Sequence, residues 1–353
     1  MFHVKINSVW TEMILFSIAS IFLYQTSIGI FFFLIPLQIL YRRRGNQLFN
    51  YSLLLTFLVI ALIKTIRISR LDNAGFTFSL VLLEILVLIS LLGGLFLLNA
   101  NIFEHFTGNL DLDLFRRKDN FFDLLSLSIL FGIVSIPFIL YFGNNTAFND
   151  YMNLVFKSLS DYLKTMFTTK DTENLAILNK FLSAETLKET TNRIFFRTFI
   201  FDYFILLGFS RWIGNAIGRK NLQRESIEKS RLDVEKTESS IISFKVPEYY
   251  LWPLIVSLAL TLIDYIRGLG VIGYVSWNAT LILALLYGIN ALGIIRYLFG
   301  YFRVSRGLQL LLYFMLIILL FTPKINIIVL IAIPGLGVSE IWIKYREFER
   351  RDE

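Results

Sequence analysis

The chain of 353 residues has no cysteine, so disulfides, thiolate metal sites and cysteine nucleophiles are all excluded. It has only two histidines, His3 and His105, too few for a histidine-built metal site or proton relay. Charged residues make up only 17% of it. The nucleophile elbow, the P-loop, the dinucleotide fingerprint and metal-ligand spacings are all missing. Gly335–Leu336–Gly337 lies inside an apolar stretch and lacks the acidic partner that a nucleotide site needs. No catalytic motif, cofactor or metal is therefore expected, and an enzyme would have to work through isolated carboxylates.

Hydrophobic residues supply 56% of the chain, and the mean hydropathy is +0.63. A soluble core cannot hide that much apolar surface, whereas lipid can. The reading is all-α: a polytopic transmembrane helical bundle of about eight to ten spans, treated as one integral membrane domain over residues 1–353. The net charge of +7 comes from Lys and Arg in short stretches beside the apolar runs. It therefore points to membrane lipids as partners and not to nucleic acid.

Residues 13–41 form the first apolar region, broken by Tyr24, Gln25, Thr26 and Ser27. It is too long for one upright helix and short for two. Two short helices, or a helix with a re-entrant piece, are expected, and one long tilted helix is the alternative. Because the apolar stretch runs on past this break, it does not read as a cleavable signal. Further spans are expected at 51–68, 76–98, 121–142, 194–213, 250–266, 278–299, 308–321 and 325–341. The last two are joined by the turn Thr322–Pro323–Lys324. Threading from a cytoplasmic N-terminus places basic residues at 42–44, 116–118, 219–245, 303–306 and 344–351 on one side. Lys64, Arg67 and Arg70 are the exception, and Lys64 and Arg67 are expected to snorkel or to point inward.

Two segments lie outside these spans. Residues 143–193 carry apolar residues at helical spacing, first Met152, Val155, Phe156, Leu159, Leu163 and Phe167, then Leu175, Leu178, Phe181 and Leu182. They predict external amphipathic helices lying on the membrane or the bundle, with a lid over a cavity as the sharper alternative. Residues 215–245 are charged with both signs and predict a solvated cytoplasmic helix or loop.

Ionisable groups inside apolar runs are the candidate site. Glu84 lies well inside 76–98, where a carboxylate costs about 2.5–3.5 kcal/mol on insertion scales and so should face protein or water. Asp202 lies similarly within 194–213. Arg296 is a potential partner for either acid, with Asn290 on the same helix but not on the same face. Gln38 lines the broken first region. The reading that competes with a ligand site is simple burial with a hydrogen-bonded partner. Asp264 and Arg267 predict a local ion pair at a span end. Gly93, Gly94, Gly288 and Gly293 predict close helix packing.

Three stretches together resemble the YybS-like family of uncharacterised bacterial membrane proteins. They are Ile35–Pro36–Leu37–Gln38–Ile39–Leu40–Tyr41 with the basic residues and Gly45 that follow; Phe244–Lys245–Val246–Pro247 with Trp252; and Gly337–Val338–Ser339–Glu340–Ile341–Trp342 with Lys344, Tyr345 and Arg346. The family usually has Asp where this chain has Glu340. It is similar in turn to the substrate-binding membrane components of energy-coupling-factor vitamin transporters. The resemblance implies a multi-pass protein of a bacterial cytoplasmic membrane, a small-molecule cavity, and ATPases supplied as separate chains. Two functions are expected in competition: a transporter-like small-molecule-binding membrane component, and a scaffold that binds other membrane proteins of a cell-envelope or division complex.

Overall fold

The computed structural model describes residues 8–26, 28–70, 74–100, 120–166, 180–226 and 244–347. His3, His105, the basic stretch 116–118, Phe167, Leu175, Leu178, residues 227–243 of the charged loop and residues 348–351 lie outside them. The described residues form eleven α-helices and a few short 3-10 turns, with no strand among them. They are α1 (Ser8–Gln25), α2 (Leu34–Arg44), α3 (Asn46–Ser69), α4 (Ala74–Asn99), α5 (Asn120–Asn144), α6 (Thr146–Met166), α7 (Ala184–Ser226), α8 (Leu251–Arg267), α9 (Val271–Tyr301), α10 (Arg306–Phe321) and α11 (Ile325–Ser339). The all-α reading holds. The chain packs as two compact units, Met1–Ser226 and Ile227–Glu353, each taken by itself below.

Five helical segments are long and apolar enough to cross a membrane: Asn46–Ser69, Phe78–Asn99, Asp123–Asn144, Glu248–Arg267 and Val271–Tyr301. The apolar helices α1, α10 and α11 are shorter. Large apolar side chains such as Leu58, Leu62, Phe78, Ile133 and Leu140 are exposed on these helices, as lipid contact requires. This is a membrane protein.

In the first unit, the broken apolar region folds as α1, a 3-10 turn at Gly29–Phe31, and α2. At 11 residues, α2 is about 16 Å long, half of a hydrocarbon core of about 30 Å. It runs back along α1, and Arg43 and Arg44 reach Glu12 at 2.8 and 2.7 Å. Both ends of the hairpin therefore lie at one level, which excludes one long tilted helix and leaves a helix followed by a short returning one. Every residue of α2 from Leu34 to Leu40 is buried. Gly45, at φ +79°, then reverses the chain into α3, a conformation for which glycine carries no Cβ penalty.

The cover over α2 is α7. Its 43 residues make a rod of about 64 Å that merges the end of the expected external segment, the 194–213 span and the start of the expected charged loop. A Cβ on Gly214 would stand 2.5 Å from Gln38 Cβ, and one on Gly218 would stand 2.8 Å from Arg42 Cβ. With buried Ser210 one turn earlier, these residues form a small-xxx-small-xxx-small seam that lets the two backbones approach. Residues 215–226 are thus helical, one of the two forms expected, with Gly218 buried against α2 and Ile217 exposed. Gly94 likewise receives Tyr203 and Leu207 of α7, as the packing expectation for this glycine requires, whereas Gly93 faces open space.

The amphipathic helix expected near 152–167 is α6. Phe156 and Ser160 are buried, and the Ser160 hydroxyl donates to the Leu182 carbonyl just before α7. Leu154, Leu159, Tyr162 and Met166 are exposed, while Met152 and Leu163 are half-buried.

In the second unit, α9 is the axis. Gly337 of α11 lies so close to the Tyr287 carbonyl of α9 that any Cβ would collide with backbone. Buried Gly293 is a second packing position on α9, while a Cβ on Gly288 would only graze Ile333 at 3.9 Å. The α8–α9 turn carries Gly268 and Gly270 at positive φ and is held by Asp264. Asp264 accepts from Leu269 N at 2.7 Å and from Trp277 Nε1 at 3.0 Å, and Gly273 makes room for its carboxyl. This buried carboxylate organises the turn. The local Asp264–Arg267 pair expected from spacing is replaced because backbone and indole donors lie nearer.

Candidate functional site

The broken end of the α1–α2 hairpin places an ion pair inside the first unit. Lys64, in the penultimate turn of α3, reaches Glu84 of α4 at 2.8 Å. Tyr24, buried in the last turn of α1, donates its hydroxyl to the other Glu84 oxygen at 3.3 Å. The Lys64 ammonium also lies 5.3 Å from the Tyr24 ring centroid, a cation–π distance. Tyr24 is held in turn by an edge contact with Phe33, across the break. The Glu84 and Lys64 side chains are 34% and 22% exposed. The pair is therefore neither sealed in protein nor fully exposed. The partner of Glu84 is Lys64, and of the three basic residues off the orientation pattern this inward bond accounts for Lys64, while Arg67 and Arg70 are exposed.

Gln38 belongs to a different constellation at the other end of α2. Its amide nitrogen donates to Asn99 Oδ1 at 3.2 Å and Asn215 Oδ1 at 3.0 Å, and its oxygen accepts from Asn99 Nδ2 at 2.8 Å. Tyr41 donates to the Asn99 carbonyl at 3.2 Å. Gln38 is fully buried and its polar atoms are bonded, so it ties α2 to α4 and α7. This is the bland alternative for Gln38, and the geometry supports it.

Asn290 lies in the second unit at the root of α11. Its amide donates to the Gly337 carbonyl at 3.0 Å, and both its oxygens accept from Arg346 Nη2 at 2.9 Å. Arg346 also donates to the Phe244 carbonyl at 2.6 Å. Its Nε lies 3.1 Å from Glu340 Oε1, an ion pair without hydrogen-bond geometry, since neither Glu340 oxygen has a hydrogen-bond partner among the described residues. Those two side chains are only 7% and 6% exposed. Burial pulls the Arg346 guanidinium below its ordinary range, and the Glu340 carboxylate opposes that pull. The cluster fixes residues 244 and 346 to α9 and α11, with little of either charged side chain exposed.

Asp202 and Arg296 join none of these groups. Asp202 is exposed on α7 and accepts from Thr198 one turn earlier at 2.8 Å. Arg296, half-buried on α9, acts electrostatically on Tyr313 of α10. Within each unit the expected site residues thus share no group, and Glu84 is the one held in a partly exposed ion pair. Tyr24 and Lys64 were not singled out as site residues from sequence. The readable signal was that a Lys departing from the positive-inside pattern needs an anion, and Glu84 is the acid in the adjacent span. Asn99, Asn215 and Arg346 carried no comparable signal, because their partners come from distant helices. Among the described residues no group of three or more His, Cys, Asp or Glu side chains could hold a metal ion.

No family model, curated protein or solved structure matches the chain.

Proposed function

We propose that this membrane protein is a transporter-like, small-molecule-binding component whose site is the Tyr24–Lys64–Glu84 group. The observation that carries this reading is a half-covered ion pair beside the break between two short helices. Broken helices with charged groups at the break are the arrangement by which membrane transporters hold polar ligands. A ligand carboxylate would replace Glu84 on Lys64, and a ligand ammonium would replace Lys64 on Glu84. The likeness to YybS-like proteins is part of the same proposal. Energy would then come from separate ATPase chains, since this chain has no P-loop.

The test is native mass spectrometry of protein extracted gently with its lipids. A small molecule retained by the parent, lost in Glu84→Gln and Lys64→Met, and kept in Asp202→Asn supports the site. Retention by all variants, or a parent carrying bulk lipid alone, overturns it. The competing reading, an interaction component of a membrane complex, is favoured by one observation, the exposed Asp202.

A further inference from the structure

The outward face of α7 repeats with a spacing of three and four: Phe195, Thr198, Asp202, Ile205, Phe209 and Trp212. Phe195, Asp202, Ile205, Phe209 and Trp212 are all exposed. This is the a/d register by which one helix packs along another, with a single acidic residue at one a position.

The charges of this stretch are sorted by side. Arg197 Nε and Arg211 Nη1 are buried, and Arg211 is coupled electrostatically to Asp123 and Tyr41. Asp202 is exposed, and Thr198 is its hydrogen-bond donor. An otherwise apolar face therefore presents one carboxylate, which lipid tails would not stabilise if 194–213 spans the membrane as its sequence predicts.

Two copies of one chain share an orientation in a membrane. Packing through this stripe by two-fold symmetry would set Asp202 against its own counterpart, and like charges at close range oppose that contact. The charge calls for its complement. We propose that this stripe is the docking face for a transmembrane helix of another protein that carries a Lys or Arg within its apolar span. The aromatic and aliphatic positions supply the packing, and Asp202 fixes partner and register, as single polar a positions do in paired helices. The proposal rests on the interaction reading and is independent of the Tyr24–Lys64–Glu84 site.

Because the chain has no cysteine, single-cysteine labels report cleanly. A donor on Ser158→Cys, an exposed position of α6, is paired with an acceptor on a synthetic Leu-based membrane-spanning helix in phosphatidylcholine vesicles. One probe has a single central Lys and the other has Leu there. The Lys probe is expected to bind at least tenfold tighter. Asp202→Asn should abolish that preference without shifting the unfolding midpoint, and Glu84→Gln should leave it intact. Asp202→Lys should transfer the preference to a probe with a central Glu. Equal binding of both probes, or a Lys preference that survives Asp202→Asn, overturns the proposal. So does efficient disulfide formation between Ile205→Cys chains in the same vesicles, which would assign the stripe to a second copy.

Discussion

Glu84 and Glu340 are both acids paired with a base, one in each unit, and they differ in access. The Glu84–Lys64 pair joins neighbouring helices at 2.8 Å with side chains 34% and 22% exposed. The Glu340–Arg346 pair is 3.1 Å apart with side chains 6% and 7% exposed, and Arg346 has three further oxygens around it. On the proposed reading, the first pair would exchange a partner for a ligand, whereas the second would only be broken. Burial therefore distinguishes a site from a latch more sharply than charge does.

The contrast is broken most strongly at Arg346. Arg346→Met strands Glu340 and uncaps Asn290, and it should destabilise the second unit by about 3–5 kcal/mol, the usual cost of removing one partner of a buried pair. Thermal unfolding in detergent, followed by proteolysis near residue 244, measures it. The double variant Arg346→Met with Glu340→Leu should recover part of the loss. Full loss in the double variant would mean that the bonds to Phe244 and Asn290 matter more than the charges.

An intermediate effect is expected at the helix seam. Gly214→Ala puts a methyl into the space of Gln38 Cβ, which should cost about 1–3 kcal/mol by overpacking. Gly143→Ala, where nothing lies within 4 Å of the new Cβ, is the matched control and should not show this packing penalty.

The smallest effect on stability belongs to the accessible pair. Glu84→Gln should cost roughly 0–1 kcal/mol, because the pair is partly exposed and Gln can still accept from Lys64. Its effect should appear in ligand retention instead. An unfolding loss as large as that of Arg346→Met would show that Glu84 is a latch as well and remove the contrast.

The class of the protein is written in composition: a chain with these apolar runs has to be helical in lipid, since backbone groups there need internal partners. The break at residues 24–27 was also legible, because polar residues interrupt an apolar stretch at a definite place. So was the amphipathic face of α6, whose apolar residues recur with the helical period. Each of these is a local property, carried by neighbours in the chain.

The site was only half legible. Glu84 stood out by its position, but Lys64 read as an orientation anomaly, and Tyr24 as a break residue. Asp264 read as a local ion pair until the turn brought in Trp277 and Leu269. The seam Ser210–Gly214–Gly218 is visible as a spacing, yet nothing local says that α2 fills it.

By itself, then, the sequence determined the membrane, the helices and the hairpin break, since hydropathy and periodicity act over one or two turns. Only the tertiary structure decided which polar groups meet. It bonded Gln38 to Asn99 and Asn215, gave Glu84 to Lys64, sealed Arg346 against Glu340, and left Asp202 facing outward. The physical reason is that helix packing brings together residues tens to hundreds of positions apart, and the burial of each pair depends on every helix around it.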